Sequence, residues 1–255
     1  MAYWWALWLF AFGSLIAGRI VVPLVRNSRH QFRVAAVVPE SPDTVSVYVT
    51  GRHLERLPVQ AGQFCIWRFP GHNGWWQANP FSLSAAPGGH RSLRLTAKAI
   101  GTTSAGLRTL PVGSRVFVEG PYGAFTGLHQ RTGASLLVAG GIGVTPIRAL
   151  LEESPWGSAV VLYRVSTAAD AVLLRELQEL AHLRGAVLRV LAGRSAGTPP
   201  VRPFDPANLA ALVPDIRHRD VYVCGPPPMT QAVLRSVRIL GVPRGQVHAE
   251  RFGLG

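Results

Sequence analysis

Between Gly127 and Gly133 the rhythm of apolar residues in this chain changes. From Ala134 onward, short apolar runs alternate with amphipathic stretches. "SLLVAGG" precedes "VTPIRALLEE", "AVVLYRVS" precedes "ADAVLLRELQELAHLR", "AVLRVLAG" precedes "PANLAALV", and "DVYVCGPP" precedes "MTQAVLRSVRIL"; "QVHAERF" is the last run. Apolar strands alternating with helices are the pattern of a parallel, doubly wound sheet covered on both faces. Upstream, from Phe32 to Phe125, the segments are short and rich in β-branched and aromatic residues: "FRVAAVVP", "TVSVYVT", "QFCIWRF", "PFSLS", "SLRLTAKAI" and "RVFVEG". Gly, Pro, Asp or His turns separate them, and six such strands predict an antiparallel barrel or sandwich. One helical stretch, "TTSAGLRTL", interrupts them. The 255 residues suffice for both units.

The N-terminus follows neither pattern. "MAYWWALWLFAFGSLIAG" is 18 residues without a charge, about 27 Å of helix against a hydrocarbon core of about 30 Å. Tyr3, Trp4 and Trp5 stand at one end, and Arg19, Arg26, Arg29 and Arg33 follow the other. The aromatic belt and the positive-inside rule predict one transmembrane span within residues 1–25, with everything after it cytoplasmic. A cleaved signal would need its positive charge before the apolar run.

The formal net charge of +13 comes almost wholly from arginine, Lys98 being the one lysine. The arginines are spread out and not interleaved with aromatics, which argues against a nucleic-acid surface and toward a membrane, a phosphate-bearing cofactor or an acidic partner. Two cysteines, Cys65 and Cys224, are too few for an iron–sulfur cluster. No metal-ligand spacing of Cys and His is present.

Two turns could carry chemistry. "VAGGIGVTP" places Gly140, Gly141 and Gly143 after the first parallel strand, with Thr145 and Pro146 in the following helix. Such a turn lets a diphosphate approach backbone N–H groups at a helix N-terminus, although any tight strand-to-helix connection can use the same glycines. "CGPPPM" repeats the arrangement at the fourth strand with Cys224, Gly225, Pro226 and Met229. Ligands of open α/β sheets lie at these strand ends. Cys224 reads either as a buried thiol or as part of that site. Arg164 and Ser166 end the second strand where an NAD site usually carries a carboxylate. Arg164 reads either as a partner for a 2′-phosphate or as a solvated arginine.

The ordered set "NPFS", "TAKAIGTTS", "GPYG", "AGGIGVTP", "CGPPPM" and "ERF" resembles the ferredoxin–NADP reductase superfamily. It is most similar to the reductase half of ferric reductase and NADPH oxidase-type transmembrane proteins. The resemblance spans about Phe32 to Phe252. It implies an α+β two-domain chain: a six-stranded antiparallel Greek-key barrel holding FAD over residues 31–128, then a nicotinamide-binding α/β domain over 133–255. Asn79, Pro80, Phe81 and Ser82 would lie along the isoalloxazine, with Ser82 near flavin N5. Thr96 and Lys98 would flank the flavin, Thr103 and Ser104 its diphosphate, and Gly120, Tyr122 and Gly123 the far edge. The chargeless polar face of "PFSLS" would then be pressed against the flavin.

The same resemblance implies a route for electrons. NADPH, with NADH as the alternative, would lay its diphosphate on Gly140 to Thr145 and its nicotinamide near Cys224 and Gly225. Glu250 and Phe252 would complete that end, Phe252 as a ring that moves aside for nicotinamide or simply as a tail residue. Electrons would pass to haem in a membrane partner, a ferric chelate or oxygen; a soluble-type flavin or ferredoxin reductase, or an FAD-holding module without turnover, are the rivals. Asn79 stands where relatives carry Arg or His, and no histidine precedes His30, so haem could enter only through a partner or an upstream segment.

Overall fold

A computed structural model describes residues 2–72, 77, 79–87, 92–99, 104, 106–153, 157–193 and 202–250. The upstream strands are β1 (Arg33–Ser41), β2 (Thr44–Thr50), β3 (Phe64–Arg68), β4 (Asn79–Ser82), β5 (Ser92–Lys98) and β6 (Phe117–Tyr122). They form two antiparallel three-stranded sheets, β1-β2-β5 and β4-β3-β6. Isolated bridges Leu83↔Leu95 and Arg33↔Arg115 join them at both seams. The strand order β1-β2-β5-β4-β3-β6 therefore returns on itself as a barrel. Val45, Val47 and Val49 on β2 face Leu93, Leu95 and Ala97 on β5 in register, and all six are buried around Trp67 and Phe69. The alternate residues of the same strands, Ser46, Arg94 and Thr96, are buried as well, because the second unit covers that outer face.

The second unit is a five-stranded parallel sheet in the order β11-β10-β7-β8-β9. Its strands are β7 (Ala134–Gly140), β8 (Ser158–Val165), β9 (Val187–Ala192), β10 (Asp220–Cys224) and β11 (Val247–Glu250). Helices α3 (Val144–Glu153) and α4 (Leu174–Leu183) pack on one face, where Leu137, Val161 and Tyr222 meet Ile147, Leu150 and Leu177. Ala61 and Phe125 from the barrel side join that cluster. Helices α5 (Pro206–Leu212) and α6 (Pro227–Ile239) cover the other face, over Leu136, Val138 and Val223. Apolar side chains on both faces of β7 and β10 account for their unbroken runs in the sequence.

The N-terminal helix differs from the expectation of an anchor ending near residue 25. Helices α1 (Ala2–Ile16) and α2 (Val22–His30) are joined by a π-turn at Ala17–Val21, just before Pro23, which has no N–H to give the ladder. Tyr3–His30 is 28 residues long; its most apolar 18-residue window has mean hydropathy 1.9, and none of that window is buried. Its last turns nevertheless belong to the barrel. The Asn27 side chain takes the N–H of Val118 at 2.8 Å and donates to its carbonyl at 3.0 Å. Arg26 donates to the Gly120 carbonyl, Arg19 pairs with Glu119 at 3.4 Å, and His30 Nδ1 lies 2.7 Å from the Arg52 carbonyl.

Asp43, in the β1–β2 turn, ties that hairpin to the end of β5. It accepts from Ser41 at 2.8 Å, pairs with Lys98 at 3.0 Å and accepts from Thr44 at 3.1 Å. These hydrogen bonds, Ser41's first and Lys98's next, hold its carboxyl down to about 2. A depressed carboxyl contributes stability above its unfolded pKa, lost as pH falls through the folded one. Because the pair is about half exposed, its worth is screened to at most about 1 kcal/mol. Asp43→Asn should lower the urea midpoint at pH 7, and the gap to wild type should close between about pH 4 and pH 2. A gap that persists at the acid end would show that the ionised carboxylate is not its source.

Candidate functional site

The two glycine turns meet at the carboxyl ends of β7 and β10. A Cβ on Gly143 would sit 2.4 Å from the Cys224 carbonyl oxygen and 2.9 Å from Gly225 Cα. A Cβ on Gly140 would sit 2.6 Å from Met229 Sδ and 2.9 Å from Pro226 Cδ, and one on Gly225 would sit 2.5 Å from Met229 Cε. These three glycines are therefore consumed by the packing of one turn on the other. Gly141 differs: its φ is +52° and a Cβ there would meet no heavy atom within 4 Å. Of the four, Gly141 alone combines the left-handed conformation with open space around its backbone. Thr145 and Pro146 are buried in the first turn of α3.

Cys224 and Glu250 are brought side by side, paired in register between β10 and β11. Burial pushes the Cys224 thiol well above its ordinary range, and the Glu250 carboxylate adds to the shift. Burial also raises the Glu250 carboxyl. At neutral pH Cys224 is a protonated, enclosed thiol with no nucleophilic character. Arg164 ends β8 opposite Gly140. Its guanidinium is mostly buried and donates to the Leu191 carbonyl at 3.0 Å, and burial lowers its pKa. That contact ties β9 to the sheet, a use the sequence did not reveal. Ser166 is exposed just beyond, and its carbonyl accepts the Gly193 N–H at 3.1 Å.

On the barrel, β4 carries Asn79 to Ser82. The Asn79 amide donates to the Trp67 carbonyl at 3.1 Å and to that of Gln77 at 3.3 Å. Pro80 is exposed, Phe81 is half-buried, and its carbonyl accepts Trp67 Nε1 at 3.2 Å. Ser82 is 3 % exposed, and its hydroxyl has no hydrogen-bond partner. A buried hydroxyl left unpaired costs about 1–3 kcal/mol. Ser135, at the far end of β7, is the other such hydroxyl among the described residues.

Ser84 behaves otherwise, and here the expectation from sequence needs correction. Its hydroxyl bonds Thr96 at 2.7 Å and accepts Arg94 Nε at 3.0 Å. The Thr96 hydroxyl in turn lies 2.7 Å from that of Ser46. The polar face of "PFSLS" is thus divided: Ser84 and Thr96 are paired inside the protein, whereas Ser82 is unpaired among the described residues. Lys98 points outward to Asp43. Ser104 is half-buried, while Thr103 and Phe252 lie outside the described residues.

At the far edge Gly120 has φ +124° and Gly123 φ +94°. The Tyr122 ring lies 5.7 Å from that of Phe64, and its hydroxyl donates to Glu119 at 2.7 Å. Burial alone would raise the Glu119 carboxyl, but Tyr122, Arg68 at 2.8 Å and Arg19 outweigh it and lower it. No cluster of three or more His, Cys, Asp or Glu among the described residues could hold a metal ion.

A closed antiparallel barrel whose orphaned serine precedes a parallel sheet with paired glycine turns is a specific combination. Residues 137–235 match the oxidoreductase NAD-binding domain family. The chain has the ferredoxin–NADP reductase fold. The ferredoxin NADP⁺ reductase from Neisseria gonorrhoeae with bound FAD and NADP superposes with a TM-score of 0.71 at 16 % identity, over 87 % of this chain and 97 % of that one. The reductase component of propane 2-monooxygenase from Rhodococcus jostii is 28 % identical over 86 % of this chain and 62 % of its own. The flavohemoprotein of Bordetella pertussis is 28 % identical over 88 % of this chain and 60 % of its own. The chain thus spans less than two thirds of the length of these two relatives.

Within this reductase fold the two glycine classes separate by experiment. Gly143→Ala drives a Cβ into backbone that cannot yield and should lower Tm by roughly 5–10 °C. Gly141→Ala meets only the left-handed strain and should lower it by roughly 2–5 °C. Differential scanning calorimetry checks the order; equal losses would mean that the turns do not rest on each other.

Proposed function

We propose that the chain is an FAD-dependent NAD(P)H oxidoreductase, the reductase that loads electrons for a separate acceptor. FAD, when bound, takes a hydride from the nicotinamide and gives electrons up singly. The barrel over residues 31–128 is assigned to FAD and the sheet over 133–255 to the nicotinamide. The unpartnered buried hydroxyl of Ser82 carries the reading. It is a donor held on a buried strand with no receiving group among the described residues. Phe81 lies beside it to bear on the flavin ring, and the Gly120–Gly123 segment is assigned to the far edge of the same site, with Ser104 and Thr103 assigned by sequence to the flavin diphosphate. Gly141 offers open backbone for a diphosphate at the start of α3, and Cys224 with Glu250 borders the nicotinamide end. Glu250 is suited to orient a positively charged nicotinamide ring, and Phe252 is assigned to cover the flavin until nicotinamide arrives.

The acceptor follows from the company the chain keeps. Its relatives are named as reductase components of oxygenases and as flavohemoproteins. That supports a soluble-type flavin or ferredoxin reductase, serving an oxygenase component or a haem protein, over a ferric reductase. NADPH is preferred to NADH only through Arg164, and its bond to Leu191 weakens that preference. Purified protein should bind FAD near one per chain, and NADPH or NADH should bleach it. Ser82→Ala should slow bleaching at saturating nicotinamide roughly 5–100-fold, the worth of one hydrogen bond, while FAD occupancy stays nearly full. Protein that takes up no FAD on reconstitution would overturn the reading.

A second reading concerns the N-terminal helix, which is apolar, exposed and edged by Tyr3, Trp4, Trp5 and Trp8. By length and composition it is suited to cross a membrane once, leaving the two domains on the cytoplasmic side, where a haem-binding membrane protein could take the electrons. Expressed protein should then stay in the pellet after carbonate extraction, and deletion of residues 2–18 should release an FAD-loaded supernatant form. Full-length protein found in the supernatant without detergent would remove the span and leave the reductase assignment intact.

A further inference from the structure

The outer face of β5 carries an arginine that the site as described does not use. Arg94 is 3 % exposed. Its Nε donates to the Ser84 hydroxyl at 3.0 Å, its Nη2 to the Ser84 carbonyl at 2.6 Å, and its Nη1 to the Tyr48 hydroxyl at 3.2 Å. Nη1 also reaches both carboxylate oxygens of Glu176 on α4, each at 2.9 Å. Glu176 accepts Arg148 Nε from α3 at 2.9 Å. Arg148 in turn pairs with Glu152, and Glu152 accepts the Ala86 N–H at 2.5 Å. Glu153 accepts the Ala61 N–H at 3.0 Å.

The placement of these partners matters more than their number. Ser84 and Ala86 follow Ser82 directly along the chain. Arg148, Glu152 and Glu153 lie on the helix that starts beyond the Gly141–Gly143 turn. The network therefore joins the segment that carries the flavin-facing hydroxyl to the helix that carries the diphosphate turn. Stability does not account for it, since apolar side chains of similar volume would replace buried ion pairs at little or no cost. What such pairs supply is orientation: the fork of an arginine fixes direction as well as distance. Contacts between domains of one chain otherwise permit relative motion, and a displacement of about 1 Å between reacting groups can cost about 100-fold in rate.

We propose that Arg94 is a positioning residue which, through Glu176 and Arg148, sets the nicotinamide turn against the flavin strand and so fixes the approach of hydride donor to acceptor. The proposal rests on the reductase reading above. It touches neither cofactor-binding turn directly, so its removal should alter geometry without emptying either site.

The test uses FAD-loaded Arg94→Lys, which keeps the charge and loses the fork, and the double variant Arg94→Met with Glu176→Leu, which fills the space with apolar atoms. In stopped flow, both should bleach at saturating NADPH roughly 10–100-fold more slowly than wild type, with FAD occupancy and NADPH affinity within about 3-fold. The double variant should keep a Tm at or above wild type, which separates rate from stability. Hydrogen exchange gives a readout independent of turnover. The Ala86 and Ala61 amides should exchange at least about 10-fold faster in Arg94→Lys, with β7 amides unchanged. Bleaching within 2-fold of wild type in both folded variants, or unchanged exchange at Ala86 and Ala61, overturns the proposal. Should wild type itself fail to bleach with either nicotinamide, the reductase reading falls, and the exchange arm still decides whether Arg94 locks the two units.

Discussion

The backbone of the Gly140–Gly143 turn rests on the backbone at Cys224 and Gly225, with no space for a Cβ between them. Much of the α/β unit follows from that approach. It lets β7 and β10 end level with each other in the centre of the sheet, and it aims α3 from that edge back toward the barrel. The direction of α3 brings Leu150 into a shared apolar cluster with Ala61 and Phe125, and it delivers Glu152 and Glu153 to barrel amides. A parallel sheet alone does not specify where a second domain sits. Here a close contact between two turns does so through the helix that leaves one of them.

Periodicity carried most of the fold. All six upstream strands and the alternating strands and helices after Ala134 are visible in the sequence, because burial on one or both faces writes period two or unbroken apolar runs into it. The end of the N-terminal helix was not visible. Asn27 is an ordinary polar residue near the end of a helix, and only the proximity of Val118, far away in the chain, makes it a pairing partner. Arg94 was missed for a related reason. A single arginine in "SLRLTAK" could have been read as a charge on a covered face, but its partner on α4 leaves no local trace.

The hydroxyls of β4 show the same limit at the site. Ser82 and Ser84 look equivalent in the sequence, two small polar residues around a leucine. In the fold one is satisfied by a threonine and an arginine, and the other has no partner among the described residues. Which serine is satisfied within the protein is therefore decided by what β5 and the second unit place against the strand. Glycines follow suit. Four of them mark the two turns, and only the positive φ and open surroundings of Gly141 set it apart from the three that the packing of the turns requires.

The Asn27 side chain engages Val118 as a neighbouring strand would, giving and receiving one hydrogen bond. It does so beside the seam that Arg33 and Arg115 close with a single bridge. Arg26 holds the Gly120 carbonyl two residues further along β6. The helix is thus clamped to β6 at its base, and upstream of Arg19 its residues 3–18 are exposed. The base of the helix serves as part of the barrel's closing edge, so a chain shortened through Asn27 would lose a partner of β6 as well as an apolar segment.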